Sequence, residues 1–266
     1  MMLRVGADNA RYMLEQSIPG YAAGTLTAAH HPHALAVLFR QLGVCRMLSE
    51  GVVEPLFVAQ MQAVSAYLHR LPSMAEDDKV TSRANVFWDA IGGEYWDAAA
   101  AIARHSRASF HPAWEHEDDF LFVWFLMTRY FGGAPTVDEG AGARRQRALL
   151  DRWEVVLAGA NDPRLRLCDA LLRGDGDDFR DAFAETGAVR AEELRAQVAA
   201  RALSEAHAAW VRPFWGEGLA LLRLASRDGL ATDEHCEMVP ELTRVPNPFV
   251  YDDDAWRGID FKPRRR

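Results

Sequence analysis

The sequence predicts an all-α fold, an irregular bundle or solenoid of stacked antiparallel helix hairpins with no significant sheet. Three observations predict it. Apolar residues recur every three to four positions through most of the 266 residues. Breakers such as Gly51, Pro72, Gly92-Gly93 and Gly132-Gly133 cut that pattern into segments of helical length. No stretch alternates strictly between apolar and polar residues, as a half-buried strand would.

The elements follow in order. Leu35, Leu38, Leu42 and Cys45 line one helix face, and Gly51 is its C-cap. Phe57, Met61, Val64, Leu68 and Leu71 line the next, which Pro72 stops. Almost nothing joins the two, so they form a tight hairpin. Asn85–Ile91 is helical, and Tyr95–Ala103 is a helix of small residues. Phe120–Phe131 is apolar all round and reads as a central helix buried on every face. Residues 136–142 read as a long loop, with a candidate sub-domain boundary at 134–142.

Arg144–Leu157 carries Leu149, Leu150, Trp153 and Val156. Asp162-Pro163 starts a short helix, an N-cap acid with proline at the first position. A helix over 175–186 follows. The longest helix is expected next, with Leu194, Val198, Ala202, Ala206 and Trp210 stepping by four. Pro213 opens the last, which Gly229 closes. Residues 1–245 thus read as one helical domain. Residues 246–266 read as an irregular tail lying along it through Phe249, Tyr251, Trp256 and Phe261.

Composition bounds the function. Hydrophobic residues make up 49% and charged residues 26%, an ordinary globular balance. The net charge of −8 argues against nucleic acid, whose phosphates need a dense cationic face. It suits a basic protein partner or simply serves solubility. Cys45, Cys168 and Cys236 are odd in number and far apart, so they read as small apolar residues and not as a disulfide or zinc framework. Residues 1–20 mix charges among their apolar positions and lack a continuous signal-peptide core. The most apolar run, 120–127, is far too short to cross a bilayer. A cytoplasmic protein with no membrane partner is expected.

No motif for catalysis emerges. The histidines His30, His31, His33, His111, His116 and His235 make no metal-ligand spacing. No nucleophile elbow and no phosphate-binding loop occur. No metal, no cofactor and no enzyme activity are expected.

Some residues point outward. Trp114 stands beside Glu115, Glu117, Asp118 and Asp119; of the tryptophans it is the one most suited to exposure and to anchoring a partner, though it reads first as a partly buried packing residue. The acids at that helix start, those at Asp175, Asp177 and Asp178, and those at Asp252, Asp253 and Asp254 are candidate partner-binding patches. Each also reads as an ordinary helix cap or solvated loop.

The segment Leu167–Pro240 carries a resemblance. It reads Leu167-Cys-Asp-Ala-Leu-Leu-Arg-Gly-Asp175, then Phe179, Ala182 and Phe183, then Trp215-Gly-Glu-Gly-Leu-Ala-Leu-Leu-Arg-Leu-Ala225, Gly229-Leu230 and Val239-Pro240. This order is similar to the C-terminal half of the Immunity protein 49 family and related helical immunity proteins of bacterial polymorphic toxin systems. Tyr95-Trp96-Asp97-Ala98-Ala99 resembles their small-residue helices, whereas the tail after Val245 has no counterpart there. The resemblance implies a protein that binds and sterically neutralises a cognate toxin domain. The alternative is a helical-repeat adaptor for an endogenous protein partner.

Overall fold

The computed structural model describes residues 1–26, 28, 30–132, 139–232 and 235–266, without the side chains of residues 139 and 140. Its α-helices run α1 Met2–Ala22, α2 His31–Glu50, α3 Glu54–Arg70, α4 Asn85–Gly92, α5 Trp96–His105 and α6 Glu117–Phe131. They continue as α7 Glu139–Leu157, α8 Pro163–Arg173, α9 Gly176–Ala199, α10 Glu205–Val211 and α11 Gly216–Arg227. Among the described residues the only β pairings are two isolated bridges, Cys236 with Val239 and Phe249 with Arg265. The all-α expectation holds.

The chain packs mainly as neighbouring pairs: α1 on α2, α2 on α3, and α8 on α9. The α2–α3 turn works because Gly51 adopts φ 70°, a left-handed conformation that costs glycine little. Within the pair Gly43 permits close approach: a Cβ there would stand 2.3 Å from the Cβ of Ala59. Contact between α4 and α11 joins the first half of the chain to the second.

The structure moves the centre of the core. The sequence reading gave that place to Phe120–Phe131, but in α6 Trp124 and Thr128–Phe131 keep partial exposure. Among the longer helices the one buried around nearly its whole circumference is α3, from Leu56 to Tyr67 except for Val58, and the short α4 beside it is buried from Val86 to Gly92. Its buried polar residues disguise this in the sequence, and two of them serve the tail. Gln62 Nε2 donates to the carbonyl of Gly258 at 2.6 Å, and Ser65 Oγ accepts from the backbone N–H of Trp256 at 3.1 Å. An irregular segment must satisfy its backbone groups somewhere, and here the core helix supplies the partners. Trp256 is fully buried, its ring edge-on to Tyr21 at 5.1 Å.

Other boundaries also shift. Residues 139–142 form the first turn of α7 and not a loop; 133–138, with the rest of the expected boundary, lie outside the described residues. Residues 176–199 make one helix. The expected run to Trp210 breaks at 200–204, where Ala202 N–H reaches Gln197 O and Arg201 N–H reaches Val198 O. That pair of bonds closes a helix with a left-handed residue, here Arg201 at φ 57°. Ser204 then caps α10 by accepting from His207 N–H. Pro213 lies in the bend before α11 and does not open it. The sequence reading assigned no element to 2–22, which form α1.

Candidate functional site

The residues with the clearest outward geometry lie between α5 and α6. The connection 106–116 is short of regular structure, so its shape depends on side chains holding its backbone. Glu115 does most of this. One carboxylate oxygen accepts from His111 N–H and the other from Ser82 N–H, both at 2.9 Å. Thr81 Oγ donates to the carbonyl of Arg107 at 2.7 Å. The Arg107 guanidinium reaches Asp77 at 3.0 Å and the carbonyls of Glu76 and Ser109 at 3.1 Å. Phe110 packs on the ring of Phe120, which stacks on Trp124. The turn closes with Trp114 N–H donating to His111 O at 3.0 Å.

This held loop presents Trp114, whose surface is 56% exposed. Pro112, Ala113 and His116 are exposed around it. Trp114 is exposed, as the outward reading of the sequence has it and the packing reading does not. Glu115 has a different task from the one expected, because both its oxygens bond backbone and the carboxylate acts as a brace.

The acidic patches are largely neutralised from within. Glu117 makes a paired contact with Arg152, at 2.7 and 2.8 Å. Arg164 of α8 meets Asp119 at 2.7 Å, Asp162 at 2.9 Å and Asp118 at 3.3 Å. Its guanidinium also lies over the rings of Phe122 and Trp153. Burial alone would lower the Arg164 pKa, but hydrogen bonds to Asp162 and Asp119 outweigh it and hold the pKa raised.

Asp175 caps α9 by accepting from Asp178 N–H. Arg173 reaches Asp169, Asp175 and Asp178, and Arg166 reaches Asp178 and Glu185. Asp177 pairs with Arg180. The first two patches therefore meet at α8, whose arginines lie between the acids of α6 and α9. The third patch is separate, on the tail: Asp252 bonds Asp254 N–H, Asp254 pairs with Arg257 at 2.6 Å, and Asp253 is exposed.

His30 and His31 adjoin, their ring centroids 4.3 Å apart, and among the described residues no third ligand joins them. His111 lies in the held loop, His116 is the N-cap of α6, and His235 stands 3.5 Å from Glu241. Among the described residues no group of three or more His, Cys, Asp or Glu is placed to hold a metal ion. Cys45 and Cys168 are buried and Cys236 is half-buried. No helix of the described residues is long and apolar enough to cross a membrane. A cavity of about 230 Å³ lies between α9 and the 235–239 segment, walled by Phe179, Phe183, Trp215 and Met238 with Gly187 at its base.

Sequence reasoning missed a set of inward charges. Arg40 of α2 forms a bidentate pair with the buried Asp89 of α4. Glu217, at the start of α11, is largely buried, and burial raises its pKa to about 7 against the pull of Arg164 and Arg190. Burial lowers the pKa of Arg190 in turn, and among the described residues its Nε has no hydrogen-bond partner. One signal was available: Glu217 is in phase with the buried Leu221 and Leu224.

With this geometry in hand, comparison with protein-family models, curated proteins and solved structures finds no match to the chain. Fold and surface together define an all-helical body that displays a braced aromatic loop.

Proposed function

We propose that this chain is a protein-binding immunity factor, which neutralises a bacterial toxin domain by covering it. The observation that carries the binding half of this reading is the exposed Trp114 on a loop already fixed by Glu115. A rigid aromatic that needs no ordering on contact avoids part of the entropy cost of association. Tryptophan is among the residues that most often dominate binding energy. The resemblance of Leu167–Pro240 to helical immunity proteins supplies the class of partner. The net charge of −8 favours encounter with a basic domain, though the internal pairing of the first two patches limits what they add.

The test is co-expression with the product of the neighbouring open reading frame, scoring growth and co-purification. Rescue by the wild type, lost in Trp114→Ala at unchanged thermal stability, supports the reading. The expected loss of affinity is at least about 30-fold, equivalent to about 2 kcal/mol. A folded wild type that neither rescues growth nor binds rejects the immunity reading. Capture of an endogenous protein through Trp114 would then favour an adaptor.

A further inference from the structure

Helix α1 is apolar on two opposite faces. Gly6, Ala10, Leu14 and Ile18 step by four along the buried face. Val5 and Tyr12 lie on the opposite side, with Met2 and Met13 on its flank, and all four are exposed, Tyr12 by 61%. With Met1, these make five of the eleven exposed large hydrophobic residues among those described. Exposed Asn9 and Gln16 complete the outward line. Positions 2, 5, 9, 12 and 16 are spaced three, four, three and four, the seam by which one helix packs on another. At about 1.5 Å per residue the helix is about 31 Å long, so the stripe is extended and not a scattered set of contacts.

Charge along one edge of the stripe selects the occupant. Arg4, Asp8, Arg11 and Glu15 read plus, minus, plus, minus. Read backwards, the order is minus, plus, minus, plus. An antiparallel copy of the same helix, related by a twofold axis between residues 9 and 10, therefore sets Arg4 opposite Glu15 and Asp8 opposite Arg11. Such self-complementarity is what a twofold interface requires. Asn9 falls beside the axis, where amides of two copies can pair and fix the register.

Arg11 is already steadied by Asp260 at 2.5 and 3.2 Å, with Glu15 at 3.8 Å. Arg4 and Asp8 are exposed and make no ion pair among the described residues. A lipid surface fits less well. It favours an excess of lysine and arginine, whereas α1 balances two cations with two anions on a chain of charge −8. Asn9 and Gln16 would also enter the apolar layer unpaired.

We infer that the outer face of α1 is a homodimer interface, formed by antiparallel pairing with α1 of a second copy of this chain.

The test is the mass of the full chain in solution by light scattering and sedimentation, across concentrations up to about 100 µM, where an interface at the small end of the stable range assembles. The wild type should approach twice 29.7 kDa as concentration rises. Val5→Asp with Tyr12→Asp, both at exposed positions, should hold the mass at 29.7 kDa with the melting temperature unchanged. Arg4→Glu should weaken association several-fold, and adding Glu15→Arg should restore it. A wild type that stays at 29.7 kDa throughout overturns the inference, as does a dimer indifferent to the Val5 and Tyr12 changes. Flotation with phosphatidylglycerol vesicles by a chain that remains monomeric overturns it in favour of a membrane.

Discussion

The hairpins α2–α3 and α8–α9 share a plan and differ in what holds them. In α2–α3 the helices meet at Gly43 and Ala59, and Leu35, Phe39, Leu56 and Phe57 are sealed from water. In α8–α9 an apolar seam of Leu167, Leu171, Phe179 and Phe183 is bordered by Arg166 and Arg173 reaching across to Asp178 and Glu185. The first hairpin rests on area removed from water and the second adds exposed charge. Exposed ion pairs contribute little each and are screened by salt, so the two should part company under salt and mutation.

The largest expected effect is in the apolar pair. Phe57→Ala should cost about 3–5 kcal/mol in chemical denaturation, with the loss unchanged in 1 M salt. Gly43→Ala should cost about 1–3 kcal/mol, because the added methyl meets Ala59 and the carbonyl of Pro55 with no room to relax. A loss under about 0.5 kcal/mol for either would show the hairpin to be loosely packed.

Next comes the charged region. Arg164→Met should cost about 2 kcal/mol, less than a fully buried pair because Arg164 keeps some exposure. The loss arises mainly from leaving Asp118, Asp119 and Asp162 together without their cation, so it should shrink at high salt. Asp175→Ala removes the α9 cap and should lower the melting temperature by about 2–4 °C. Arg166→Ala should move it by no more than about 2 °C. A large drop from Arg166→Ala would mean the exposed network matters more than its exposure allows.

Two buried groups sharpen the comparison through pH. Folding raises the Glu217 pKa from the usual 4.5 to about 7, so between those values the folded state holds the extra proton. Stability from this group is full below pH 4.5 and falls as pH rises through 7. His33 of α2, whose ring lies 4.9 Å from that of Tyr67, behaves oppositely. Burial, with Arg83 and Arg40, lowers its pKa from 6.5 to about 4. Its contribution is present above pH 6.5 and is lost as pH falls toward 4. Between pH 4.5 and 6.5 the two contributions oppose each other in the wild type. Glu217→Gln should therefore unmask a stability that climbs from pH 4 to 6.5, and should stabilise the chain at pH 8 by about 2 kcal/mol. A variant whose profile matches that of the wild type would show that Glu217 is not held protonated by the fold.

These regions also separate what the sequence makes legible from what it hides. Gly51 and Asp162-Pro163 announce their helix ends because caps are local chemistry, and both act as read. Burial of α3 was hidden because Gln60, Gln62 and Ser65 interrupt its apolar pattern, and the tail partners of Gln62 and Ser65 are nearly two hundred residues away. Helix α1 was hidden because apolar residues on two faces blur its period. The end of α9 uses Arg201 where glycine is usual, so nothing marked it. At the candidate surface, Trp114 could be picked out because it stands next to acids. The bracing by Glu115 could not, since it depends on Ser82 coming alongside in the fold.

Growth rescue on co-expression with the product of the neighbouring open reading frame, run side by side for wild type and Trp114→Ala with melting temperatures recorded, bears most directly on the proposed role. The expected result is survival with the wild type and death with the variant, at equal stability. Equal survival with both would contradict a binding surface centred on Trp114.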